Sequence, residues 1–192
     1  MRQQTVGIGA LLLIVGIGVG YVLWGSAVTT PTGTHLMSDG SMMGQDIDQH
    51  FITQMIPHHE GAIAMAKVAR ERSKRTEVIS LANGIIEAQQ KEIDDMQSWY
   101  QSWYGSVPPA GGMGMMHMDS MSGDTDVLAT VPAAELDREF ITQMIPHHEM
   151  AIVMAQMLAA GTSRDEMKQL ADNIVTSQSS EIETMRGWLT SW

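Results

Sequence analysis

From residue 46 onward, apolar positions recur every three to four residues, the spacing of helices that bury one stripe. At ~100° per residue, Phe51, Met55, His58, His59, Ala62, Met65 and Ala66 share one face, with His58 and His59 toward its opposite edges and Glu60 pointing away. A second run places Leu81, Ile85, Gln89, Glu92, Met96 and Trp99 on a common face. Both patterns return 89 positions later: FITQMIPHHE occupies residues 51–60 and again 140–149. Asp48 matches Asp137, Met65 matches Met154, and Gln89, Glu92, Met96 and Trp99 match Gln178, Glu181, Met185 and Trp188. No gap is needed, so the unit is a duplicated piece of structure.

Each unit reads as two helices. The first begins near Asp46, with Gln49 at capping-box spacing, or near Pro132 in the second copy. The second begins near Thr76 and near Ser163, where Ser-x-x-Glu166 is a capping box. The turns SKRT and AGTSR are short, which makes paired helices antiparallel neighbours. One hairpin cannot cover its own apolar face, whereas two can cover each other. The predicted fold is all-α: a four-helix bundle of two repeated hairpins with approximate two-fold symmetry and helices of roughly 25 residues. The hairpins span residues 46–104 and 131–192 and form one domain. Residues 28–45 and 105–130, rich in Gly and Met, are predicted to be loops. Pro57 lies inside the first helix and predicts a kink or local widening there. The alternative is a new helix starting at Pro57, with residues 51–56 as a separate piece.

The segment before the repeats is different. Residues 1–27 begin with Arg2, continue through an uncharged apolar run at residues 6–24, and carry Tyr21 and Trp24 at its far end. At ~1.5 Å per residue that run just spans a bilayer core. It reads as an uncleaved membrane anchor, with a cleaved signal peptide as the other reading because Gly25-Ser26-Ala27 offers small residues to a peptidase. Both place the remainder outside the cytoplasm, in a periplasm or at the cell surface.

Charge and composition narrow the function. With 11 Lys+Arg against 22 Asp+Glu, the formal net charge is −11, which gives no general attraction for nucleic acid. There is no cysteine, so neither a disulfide framework nor a thiolate metal site exists. Methionine is the anomaly: 18 residues, where about four or five is ordinary usage for this length. Any soft metal donor in this chain is therefore a thioether.

These facts converge on the histidine helix. A His-His pair in two copies, brought to one core by symmetry, points to metal, because neutral imidazole is the commonest protein metal ligand. The competing reading makes the histidines core-edge residues that only hydrogen-bond to Gln89, Glu92, Gln178 and Glu181. On the metal reading the ligands are Met55, His58, His59 and Met65, with Met144, His147, His148 and Met154. Glu92 and Glu181, with Gln89 and Gln178, would orient the imidazoles, although pairing of the glutamates with a surface lysine is equally open. Four-helix di-iron proteins use Glu-x-x-His; here Met55-x-x-His58 and Met144-x-x-His147 stand instead. A thioether in place of a carboxylate moves preference from iron toward Cu(I), and Ag(I) follows by the same softness. The connecting segments agree: MGMMHM holds Met113, Met115, Met116, His117 and Met118, with Met121 just beyond, and the earlier segment holds His35, Met37, Met42 and Met43. Met150, where the first copy has Gly61, adds a thioether near the second histidine pair.

The pattern D-x-x-F-I-x-x-M-I-P-H-H-E-x-A-I-x-M-A, followed by Q-x-x-E-I-x-x-M-x-x-W, resembles the domain of unknown function family 305 over nearly all of the chain outside the leader and loops. The resemblance implies a ferritin-like four-helix fold, an exported location and, for copper-binding members, copper and silver binding through Met and His in copper tolerance. The resulting expectation is a copper-binding protein without catalysis, for buffering, sequestration or hand-off to a copper exporter or chaperone. The rival readings are a ferritin-like metal oxidase and a metal-free structural or adaptor bundle. With ordinary imidazoles, metal affinity is expected to fall below about pH 6.

Overall fold

The computed structural model describes residues 40–109 and 125–192, and side chains from Ile47 onward in the first of these stretches. Among the described residues there are five helices and no strand. They are α1 (Gly40–Arg72), α2 (Thr76–Tyr104), α3 (Thr125–Thr130), α4 (Leu136–Gly161) and α5 (Asp165–Ser191). α1 pairs with α2 and α4 with α5, and the two hairpins meet along α1 and α4. This is the all-α bundle that the duplicated pattern predicts.

Several details differ from the sequence expectation. α1 begins at Gly40, so the last part of the 28–45 linker is helical, and α4 begins at Leu136 rather than near Pro132. The predicted loop 105–130 ends in α3. Leu128 of α3 is fully buried, and the Arg72 guanidinium donates to the carbonyls of Leu128 and Val131, tying the connection to the end of α1. The helix-start residues of α2 and α5 are Arg75 and Arg164, neither with a side-chain capping bond, so the Ser163–Glu166 capping box does not form. α1 and α4 run unbroken through Pro57 and Pro146, which excludes a separate piece at residues 51–56. α2 stops at Gly105, whose φ of 69° is the left-handed conformation that suits a residue without Cβ.

The interior is two apolar clusters. One joins Phe51, Ile52, Met55, Ile93, Met96 and Tyr100 to Ala155, Leu158, Met167 and Ile174. The other joins Met65, Ala66, Val78 and Ile85 to Leu128, Phe140, Ile141, Met144 and Met185. Each takes residues from both hairpins, because α1 and α4 are antiparallel. Full burial of such side chains stabilises by roughly 1.5–3 kcal/mol each. No helix among the described residues is long and apolar enough to cross a membrane, and the predicted anchor at residues 1–27 lies outside them.

The ends of the bundle are closed by a matched pair of clamps. Arg75, in the first turn region, lies over the Trp192 ring at 4.0 Å and 3.4 Å from Asp137. Arg164, in the second, lies over Trp103 at 3.9 Å and 3.1 Å from Asp48. Each arginine thus reaches across to the other hairpin.

Candidate metal centre

The two His-His pairs meet at the middle of the bundle, between the apolar clusters. His58, His59, His147 and His148 are all buried, from 0% to 6% exposed. The rings of His58 and His147 lie 3.7 Å apart, centre to centre. His59 sits 6.3 Å from His58, and His148 sits 6.4 Å from His147. Adjacent residues on a helix point ~100° apart, so the pairs divide their work. His58 and His147 face each other across the α1–α4 seam, while His59 faces α2 and His148 faces α5. No kink at Pro57 is needed to turn both rings inward.

The outer two imidazoles are fixed in orientation. His59 Nε2 lies 2.7 Å from Glu92 Oε2, and His148 Nε2 lies 2.6 Å from Glu181 Oε2. A carboxylate oxygen only accepts, so Nε2–H donates in each case, and it is the neutral form of the ring that keeps a lone pair on Nδ1. Both glutamates remain partly exposed. Glu92 also lines a cleft of about 340 Å³ with Lys91, Asp95, Trp99 and Glu166, so this carboxylate links solvent to the buried ring.

What remains unpaired is the informative part. Both ring nitrogens of His58 and of His147, and Nδ1 of His59 and His148, are buried without a hydrogen-bond partner. So are the Oε1 atoms of Gln89 and Gln178, which lie buried one turn from the glutamates and do not orient the rings. Each such group costs about 1–3 kcal/mol in a folded protein. A polar layer kept at that cost, in both copies of a duplication, is what a ligand-binding site looks like.

The environment holds the inner rings neutral. Burial, reinforced by the neighbouring imidazoles, pulls the pKa of His58 down to about 2 and that of His147 down to about 3. Neutral rings with free lone pairs are the ligating form. Among the described residues, no group of three or more His, Asp or Glu side chains is placed to hold a metal ion together.

The thioethers are distributed differently from the sequence expectation. Met55 and Met65 do not flank one site: Met55 belongs to the first apolar cluster, against which half-buried Met154 packs, and Met65 belongs to the second, with Met144. Met55, Met65 and Met144 are fully buried. Met150 is 44% exposed and so lies outside the buried layer. Met42 and Met43 fall in the first turn of α1, with side chains outside the described set. His35, Met37, Met113, Met115, Met116, His117, Met118 and Met121 also lie outside the described residues. Sequence reasoning missed the Arg–Trp clamps, although Arg75, Trp103 and Asp48 recur at the repeat spacing as Arg164, Trp192 and Asp137.

Comparison with known proteins gives this arrangement a setting. CopM in the Cu(II)-bound form is 46% identical, covers 76% of this chain and 97% of its own, and superposes with a TM-score of 0.70. CopM in an Ag-bound form, obtained by co-crystallisation, is 45% identical over 76% of this chain and 96% of its own, with a TM-score of 0.67. A DUF305 fragment from Deinococcus radiodurans is 30% identical over 76% of this chain and 97% of its own, with a TM-score of 0.68. An uncharacterized mimivirus protein, L153 of Acanthamoeba polyphaga mimivirus, is 42% identical over 53 residues, which are 28% of this chain and 35% of that protein's length. The profile of the domain of unknown function DUF305 matches residues 48–189. The chain, with its duplicated His-His helix, therefore belongs to the DUF305 family.

Proposed function

We propose that this protein binds copper and silver ions, with Cu(I) favoured, in the histidine layer at the centre of the bundle. The observation that carries the reading is the set of unpaired ring nitrogens on four buried imidazoles, two from each hairpin. The likeness to CopM structures holding Cu(I), Cu(II) and Ag supports the same class of ion. Burial in a medium of thioether and hydrocarbon favours a monovalent ion over a divalent one, since the desolvation cost rises steeply with charge. Met55 and Met144, each one turn before its histidine pair, supply soft surroundings on either side of the layer. The role is buffering, sequestration or hand-off rather than catalysis, exercised outside the cytoplasm from an N-terminal anchor, with a copper exporter or chaperone as partner. The methionine-rich segments at residues 28–45 and 105–130 act as additional, exchangeable thioether donors.

A Cu(I) competition titration tests this. It compares the wild type, a His58/His59/His147/His148→Ala variant and a variant with the 105–130 methionines changed to Ser. The histidine variant should lose the tightest class of site, and the loop variant should lose only weaker ones. Unchanged tight binding in the histidine variant overturns the assignment. Sustained dioxygen consumption on Cu(I) addition would favour a metal oxidase instead.

A further inference from the structure

Beyond the histidine layer, the outer face of the α1–α4 seam carries an unexplained set of soft donors. On α4, Met150 is 44% exposed, Val153 50% and Met157 64%, which are three of the largest apolar exposures among the described residues. Met154, between them, is half-buried. The first hairpin builds the same helix with Gly61, Ala64 and Val68 at the positions of Met150, Val153 and Met157. Packing therefore does not require thioethers there, and two exposed methionines on one stripe gain little from burial.

A histidine stands opposite them. His58 meets His147 across the seam, and the position a Cβ would take on Gly161 falls 2.5 Å from Ile47 Cδ1. These two points fix the antiparallel register and put His50 level with Met157. Direction follows from the helical period. His50 precedes His59 by nine residues, and Met157 follows His148 by nine, a rotation of about 180° in each case. Since His59 faces α2 and His148 faces α5, His50 and Met157 both face outward on the same side. His50 is exposed. Met154 lies one turn N-terminal of Met157, turned toward the seam, and packs against the cluster that contains Met55.

We infer that His50, Met154 and Met157, with Met150 at the edge, form a second, surface site for a soft monovalent metal ion on the α1–α4 seam. One imidazole and two thioethers give a three-donor set without a carboxylate, suited to Cu(I) or Ag(I) and unsuited to zinc, magnesium or calcium. Because one of its donors packs against the apolar cluster that contains Met55, a turn from His58, the site is placed as an outer station for the ion proposed for the histidine layer. The inference rests on the soft-metal reading above.

The test uses full-length protein labelled at the methionine ε-methyl carbons and the imidazole nitrogens, titrated with Ag(I). Signals of Met154, Met157 and His50 should shift together with one midpoint. His50→Ala should weaken that midpoint for the two methionines at least tenfold, and Met157→Ile should do the same for Met154 and His50. Both substitutions fall at exposed positions, and Met157→Ile keeps the residue apolar. Unmoved Met154 and Met157 signals at Ag(I) saturation overturn the seam site, as do methionine shifts indifferent to His50→Ala. Shifts that follow protein concentration instead of Ag(I) overturn it in favour of a contact between copies. The two readings fail separately. Shifts of His58 and His147 without those of the seam leave only the inner layer, and the reverse pattern leaves only the seam.

Discussion

The guanidinium of Arg164 lies 3.9 Å from the ring centre of Trp103, and the same arginine stands 3.1 Å from the buried carboxylate of Asp48. Burial raises the Asp48 pKa, and Thr162 and Arg164 offset that only in part. Its counterpart, Arg75, is itself 44% exposed and meets an Asp137 that is partly exposed. The two clamps look alike but are not worth the same. Arg164→Ala should destabilise by about 3 kcal/mol, because it strands a buried carboxyl group. Arg75→Ala should cost about 1 kcal/mol, mostly from the lost ring contact. Urea unfolding of the two variants checks the difference, and equal losses would contradict it.

The histidine layer should be a burden to the metal-free protein. His58→Leu/His147→Leu removes four unpaired ring nitrogens from the core. Its metal-free stability should match or exceed that of the wild type, by up to about 3 kcal/mol. The rise in Tm that Ag(I) produces in the wild type should shrink sharply. Thermal melts with and without Ag(I) measure both effects.

Glu92 and Glu181 should matter for affinity without being ligands. Each holds one imidazole so that Nδ1 is the free nitrogen. Glu92→Gln/Glu181→Gln keeps the shape but weakens the acceptor, and should lower Cu(I) affinity by about 10-fold. Glu60→Gln, on the exposed face of α1, should change nothing in the same competition titration.

The pH response follows from the lowered pKa values of His58 and His147, about 2 and about 3. The unfolded chain protonates these rings near pH 6.5 and the folded chain does not, so stability is fully present above pH 6.5 and declines as pH falls below it. The loss is about 1.4 kcal/mol per pH unit for each histidine. Metal-free protein should therefore unfold cooperatively in moderate acid, and Ag(I) should move that midpoint to lower pH. Binding itself should persist below pH 6, in contrast to the expectation from ordinary imidazoles. Circular dichroism across pH 3–7, with and without Ag(I), reads both.

Much of this was legible because the duplication prints the fold twice. Gln89 and Glu92 on a face that has to be buried, and Gln178 and Glu181 in the copy, already marked a polar interior opposite the histidines. The placement of the thioethers was not legible. Met55 and Met65 lie on one face of one helix, and only the antiparallel meeting of α1 with α4 sends them to opposite ends of the core. The clamps were hidden for a similar reason: Arg75 and Trp192 are neighbours only once the hairpins dock. α3 escaped notice because TDVLAT is short and adjoins a Gly- and Met-rich stretch, although Leu128 was the one large apolar residue placed to anchor it. Gln49 and Ser163 suggested caps, yet α1 starts earlier and α5 starts beside an arginine that is engaged across the bundle.

A histidine layer assembled from two near-identical halves has no front and no back: an ion bound there, as proposed, would see almost the same surroundings toward either end of the bundle. Vectorial traffic requires polarity, and the polarity of this chain resides wherever the halves have diverged. Lys91 and Asp95 beside Glu92 are replaced by Ser180 and Thr184 beside Glu181, and the exposed thioethers Met150 and Met157 of α4 have no twins on α1. If this protein delivers its cargo in one direction, these unmatched surfaces are what set the arrow.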